Sequence, residues 1–103
     1  MSTLHTVNKS PFAQQTLTSC INICRAGDAL LLIEDGVYGA LPSAPTAQAL
    51  KALVNDRKVH LFALEPDLQA RGLNDRISDW VKVVDYSGFV QLSTEHKTVQ
   101  SWY

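Results

Sequence analysis

Gly27-Asp28-Ala29-Leu30-Leu31-Leu32-Ile33-Glu34-Asp35-Gly36 is the stretch whose reading decides the fold. Five apolar residues, Ala29 to Ile33, follow one another without a polar break. A strand wetted on one face alternates polar with apolar, so an unbroken run predicts burial on both faces. A buried helix is the rival reading, but five residues between the turn-forming pairs Gly27-Asp28 and Asp35-Gly36 are too few for one. The run therefore reads as an interior strand of a parallel sheet covered by helices. Glu34 and Asp35 mark its carboxyl end, the edge at which open α/β sheets usually keep their sites.

Outward from this strand, apolar runs alternate with helical patterns. Leu4–Val7 reads as a first strand. Ser10-Pro11 reads as a helix start, because Ser is a favoured N-cap and Pro tolerates the first helical position. The helix is predicted from Pro11 to about Arg25, with Leu17, Cys20, Ile21 and Cys24 forming one apolar stripe and Gly27 at the C-terminal cap. Val37–Leu41 fits a strand extension, a loop or a helical turn equally. Ser43 opens a second helix over about Ala44–Val54, which Asn55-Asp56 breaks. Val59–Leu64 is a third strand, Glu65-Pro66-Asp67 starts a short helix ending at Gly72, and Trp80–Val84 is a fourth strand. Asp85 or Ser87 caps a last helix over about Tyr86–Glu95, with Phe89, Val90 and Leu92 inward. The tail, Thr98–Tyr103, closes with two aromatics. Strand–helix alternation with short connections predicts right-handed crossovers. The fold class is thus α/β: a three-layer sandwich around a parallel sheet of four strands, or five, with helices on both faces.

With 103 residues the chain makes one domain, residues 1–103. Its 46% hydrophobic and 18% charged residues are ordinary for a soluble protein, and the modest charge leaves surface for partner subunits. A net charge of −1 argues against direct binding of nucleic acid, which needs clustered Lys and Arg. No run approaches the roughly 18 apolar residues of a membrane span, and Met1-Ser2-Thr3-Leu4-His5 lacks the features of a signal peptide. The expectation is a cytoplasmic protein with both cysteines reduced.

Few residues present themselves for chemistry. Cys20 and Cys24 are spaced Cys-x3-Cys, one helical turn apart, which disfavours a strain-free disulfide. They fall on the apolar stripe, so both read first as small core residues. Neither lies at a helix N-terminus, where a thiol is activated, and only Arg25 stands near Cys24. A metal site from Cys20, Cys24 and a histidine is conceivable, but His5, His60 and His96 are isolated in sequence and form no metal-ligand spacing, so each reads first as a strand or surface histidine and no cofactor is read. Asn8-Lys9-Ser10 lacks the glycines of a phosphate loop and reads as a cap. Glu34-Asp35 reads as a solvated turn before it reads as an acid/base pair. Trp102-Tyr103 fits a tucked tail or an interface anchor equally.

Several segments together resemble the DsrH/TusB family. Leu4-His5-Thr6-Val7-Asn8-Lys9-Ser10-Pro11-Phe12 is similar to its opening, and Glu34-Asp35-Gly36-Val37-Tyr38 to its acidic-Gly turn after the second strand. Asp67-Leu68-Gln69-Ala70-Arg71-Gly72, Val84-Asp85-Tyr86-Ser87-Gly88-Phe89-Val90 and Thr98-Val99-Gln100-Ser101-Trp102 agree as well, in order along nearly the whole chain. The resemblance implies a subunit of a sulfur-relay complex. Such a subunit assembles with DsrE/TusD-like and DsrF/TusC-like partners into a heterohexamer that passes persulfide sulfur to a DsrC/TusE-like carrier. The relay serves sulfur oxidation in the Dsr branch and 2-thiolation of the tRNA wobble uridine in the Tus branch. The principal sulfur-carrying cysteine belongs to the DsrE/TusD-like subunit. Cys20 stands where DsrH-like members tend to carry a first-helix cysteine, which implies the Dsr branch and an accessory sulfur-handling thiol. Cys24 has no counterpart. A mainly structural, accessory subunit is therefore the first reading. A free-standing small-molecule-binding domain, using the strand ends near Asn8 and Glu34, is the alternative and rests on fold analogy.

Overall fold

The computed structural model describes residues 2–103. Strands β1 (Thr3–Val7), β2 (Ala29–Leu32), β3 (His60–Leu64), β4 (Lys82–Val84) and β5 (Thr98–Trp102) form one sheet in the order β4-β3-β2-β1-β5. Every neighbouring pair is parallel, with Leu4 opposite Ala29, Ala29 opposite His60, Phe62 opposite Lys82 and Thr3 opposite Thr98. Four helices connect the strands: α1 (Thr16–Ile23), α2 (Ala47–Asp56), α3 (Glu65–Ala70) and α4 (Tyr86–Glu95).

Handedness distributes the helices. The steps β1 to β2, β2 to β3 and β3 to β4 all move the same way across the sheet, so right-handed crossovers place their connections on one face. The step from β4 to β5 returns past β3, β2 and β1, which places α4 on the other face. The two cores follow this division. Val7, Leu30, Leu32, Leu61 and Ala63 pack with Leu17, Cys20 and Ile21 of α1, Leu50 and Leu53 of α2 and Leu68 of α3. Leu4, Ala29 and Leu31 pack on the opposite face with Leu92 and Phe89 of α4. Leu30, Leu31 and Leu32 are all fully buried, alternating between the two cores. Each contributes about 2 kcal/mol of transfer free energy. The three-layer reading holds, with the tail as the fifth strand beside β1.

Element bounds depart from the sequence reading at identifiable places. The first helix begins at Thr16, not Pro11. Ser10 instead closes a local turn, its carbonyl accepting from Ala13 N at 3.1 Å and Gln14 N at 3.0 Å and its hydroxyl from Phe12 N at 3.2 Å. The same helix stops at Cys24, whose backbone is extended, and Gly27 (φ 92°) serves the following turn. The central strand is shorter than its apolar run because Glu34–Ala40 winds into a 3₁₀ helix, which resolves the Val37–Leu41 ambiguity. Asn55-Asp56 does not break the second helix, which runs from Ala47 to Asp56. Val90 was expected inward, yet it is 63% exposed, because α4 packs through Phe89 and Leu92. Asp85 is the cap, accepting from Gly88 N at 2.8 Å.

Gly36 lets the 3₁₀ helix pass directly over β1. A Cβ there falls onto the backbone carbonyl of Val7, which also accepts from Ile33 N at 3.0 Å. Neither group is a movable side-chain end. Gly36→Ala is expected to destabilise the protein by about 3 kcal/mol, read as a lowered urea midpoint. A change under about 1 kcal/mol would mean that this close approach does not constrain the fold.

Candidate functional site

Alternation along β1 places His5 on the same face as Val7, beneath α1. His5 is only 3% exposed. Its Nε2 lies 3.0 Å from Asp28 Oδ2, and its Nδ1 lies 3.1 Å from Trp102 Nε1. An indole nitrogen can only donate and an ionised carboxylate can only accept. The two partners therefore fix the tautomer: Nε2 carries the proton toward Asp28 and Nδ1 holds the lone pair.

Asp28 sits in the turn just before β2 and is buried. Its Oδ1 accepts from Thr3 N at 2.9 Å, and its Oδ2 accepts from Arg25 N at 2.9 Å as well as from His5. Burial by itself pushes this carboxyl upward. The backbone N–H groups of Arg25 and Thr3 and the His5 contact outweigh it and hold the carboxyl below its ordinary value of 3.8. The carboxylate thereby joins the end of α1, the start of β1 and the start of β2.

Cys20 and Cys24 complete the cluster from above. Both are free thiols and buried, and their Sγ atoms lie 4.0 Å apart, one helical turn along α1. One ligand atom from each of Cys20, Cys24 and His5 falls within 4.8 Å of the others. The two thiols are unequal. Cys20 is pushed far up, first by its hydrogen bond to Cys24, then by burial. Cys24 is drawn down by accepting that bond, against burial and the Asp28 charge and with help from Arg57. Arg57 donates to the carbonyls of Ile21 and Cys24, neutralising the negative end of α1.

The carboxyl edge of the sheet, where the sequence reading looked for a site, is tied up in internal contacts. Asp35 pairs with Arg71 at 2.9 Å, Glu34 accepts from Asn8 Nδ2 at 3.4 Å, and Glu34 N donates to Asp67 at 2.7 Å. Glu34-Asp35 is thus a braced turn. Trp102 is tucked against the core while Tyr103 is exposed. His60 is exposed on β3, and His96 Nδ1 lies 2.8 Å from Ser2 Oγ. Asp28 is the residue that sequence reasoning missed, and His5 is the one that it set aside as an isolated strand or surface histidine. The available signal was weak: a lone His inside an apolar strand, and a lone Asp opening a doubly buried one.

The folded Asp28 pKa lies below its unfolded value. Its stabilisation is therefore complete above that unfolded value and is lost as pH falls through the folded pKa. Asp28→Asn replaces an acceptor oxygen with a donor amide facing N–H groups. It is expected to cost about 2 kcal/mol at neutral pH and to flatten the fall in stability below pH 3.8, measured by urea unfolding across pH. An unchanged acid limb would remove Asp28 from that role.

Comparison with known proteins places this geometry in a family. The family model described as "DsrH like protein" matches residues 9–99. Protein TusB of Pectobacterium parmentieri is 38% identical over 99 residues, covering 96% of this chain and 99% of its own length. Protein TusB of Erwinia tasmaniensis is 41% identical over 100 residues, with the same coverage of both. Among solved structures, the ychN protein from Escherichia coli superposes with a TM-score of 0.80 at 16% identity, over 98% of this chain and 99% of its own. A protein of unknown function from Methanobacterium thermoautotrophicum gives 0.70 at 15% identity, over 96% and 97%. These two likenesses show the fold alone. The sequence relationships, spanning almost the entire length, show that the chain belongs to the DsrH/TusB family.

Proposed function

We propose that this protein is a subunit of a cytoplasmic sulfur-relay complex, assembled with DsrE/TusD-like and DsrF/TusC-like subunits into a heterohexamer that hands persulfide sulfur to a DsrC/TusE-like carrier. The observation that carries the reading is kinship with TusB proteins at 38% and 41% identity over nearly the full length. Those relatives favour the tRNA-thiolation branch over the sulfur-oxidation branch that Cys20 suggested. The role is mainly structural. Both thiols are buried, and the carboxyl edge is closed by its own hydrogen bonds. The surface carries apolar side chains suited to sister chains. Tyr86 and Val90, one turn apart on α4, are 60% and 63% exposed, and Val99 on β5 is 48% exposed. Aromatic and aliphatic anchors of this kind dominate interface energetics.

Co-expression with its two sister subunits is expected to yield one complex on size exclusion and to restore 2-thiouridine to tRNA in a strain lacking its own subunit. Val90→Lys is expected to leave the isolated chain folded and to weaken assembly by about tenfold or more. Three separately eluting proteins would sink the assembly reading.

Cys20 takes a secondary part. A thiol this buried accepts sulfur only if the end of α1 opens on docking. A persulfide donor is therefore expected to add no sulfur to the isolated native chain by mass spectrometry. One added sulfur on the assembled complex, lost in Cys20→Ser, would make Cys20 a carrier; no adduct there would leave it structural.

A further inference from the structure

We propose that Cys20, Cys24 and His5 form a binding site for a single thiolate-seeking d10 metal ion of the Zn2+ class, with Asp28 as the residue that orients His5. The inference goes beyond the sulfur-relay reading and does not depend on it. Three observations carry it. First, the sulfurs are already at a metal-spanning separation. With metal–sulfur bonds of about 2.3 Å, two sulfurs 4.0 Å apart subtend an angle of roughly 120° at the ion. A strictly tetrahedral site needs them only about 0.2 Å closer. Second, His5 donates Nε2–H to Asp28 at 3.0 Å, the carboxylate–histidine arrangement that fixes ligating imidazoles. The remaining lone pair, on Nδ1, is held only by Trp102 Nε1–H at 3.1 Å, and ligation exchanges that hydrogen bond for a metal bond. One ligand atom from each of the three residues already lies within 4.8 Å of the others, so gathering them around one ion is a closure on the order of an ångström. Third, clefts approach the site from two sides. One is lined by Cys24, Arg25 and Arg57, the other by Thr3, His5 and Asp28.

Charge favours a divalent ion. Two thiol protons leave to solvent as one M2+ enters, so the buried cluster keeps its net charge and nothing is oxidised or reduced. Two thiolates and an imidazole select the soft ions Zn2+ and Cu+ over Mg2+ or Ca2+. An ion so held also withholds Cys20 from sulfur chemistry while it is bound.

The test uses the full chain, reduced and stripped of metal, titrated with Zn2+ against a chromophoric chelator. Cu+ forms a second, anaerobic arm, and Co2+ reports on thiolate ligation. One Zn2+ per chain is expected, with a dissociation constant on the order of 10⁻⁷ M or below. Co2+ should give a thiolate-to-metal charge-transfer band in the near ultraviolet. Cys24→Ser and Cys20→Ser are each expected to weaken Zn2+ at least a hundredfold. Asp28→Asn should weaken it by about ten- to a hundredfold, while His60→Gln leaves it unchanged. Tight Cu+ binding with weak Zn2+ binding would overturn the assignment to the Zn2+ class. Absence of the Co2+ band in the unaltered chain, or equal loss in His60→Gln, would overturn the site. The outcome is separable from assembly, because failure to co-purify with sister subunits leaves these titrations untouched.

Discussion

β1 and β2 lie side by side with no face left for water, and the rest of the architecture answers that constraint. Leu4, Val7, Leu30, Leu31 and Leu32 are fully buried on alternating sides. Both faces of the sheet must therefore be covered. Right-handed crossovers cover one face three times, because three successive steps move in the same direction. The other face receives α4 alone, from the long return between β4 and β5. A single ten-residue helix covers less sheet than three connections do, and its outer side carries Tyr86 and Val90 into solvent. The asymmetry of the layers and the apolar surface offered to partners thus have one origin, the strand order.

Burying a charged or ring-nitrogen group in such a sandwich is costly unless it is matched, and Asp28 and His5 are matched. Asp28 is tolerated because three donors converge on it. His5 is tolerated because one nitrogen donates to Asp28 while the other accepts from Trp102. This chain of contacts links the turn before β2, the middle of β1 and the last residue of β5. It anchors the carboxyl-terminal strand through a side chain as well as through its backbone pairing with β1. The same contacts hold an imidazole near two thiols at the end of α1. Structural satisfaction and latent chemistry coincide here, since a proton held to a carboxylate and a lone pair on the opposite nitrogen are what ligation by histidine requires.

Family membership directs attention to assembly, and the physical features agree. The edge where a free-standing α/β binding domain would hold a ligand is laced by Asn8, Glu34, Asp35, Asp67 and Arg71. The Asp35–Arg71 pair is exposed on the carboxylate side and contributes little to stability. Its place across the turn sets geometry, holding the 3₁₀ helix over β1 where Gly36 permits close passage. The unusual chemistry lies inside, under α1, where solvent has little access.

By itself the sequence determined the elements that local pattern and burial dictate: the doubly buried run after Asp28, the last helix over Tyr86–Glu95, and the strand–helix alternation that makes the sheet parallel. Those signals are encoded within a few neighbouring residues, so they are legible without coordinates. Tertiary structure alone decided where helices stop and which distant residues meet. Asn55-Asp56 stays helical, and Val90 faces water because Phe89 and Leu92 take the packing face of α4. The cluster of His5, Cys20, Cys24 and Asp28 was illegible for the same reason. Its members are spread over 24 positions, and strand register with helix docking brings them together. No spacing rule along the chain reports a proximity created by a crossover and a sheet.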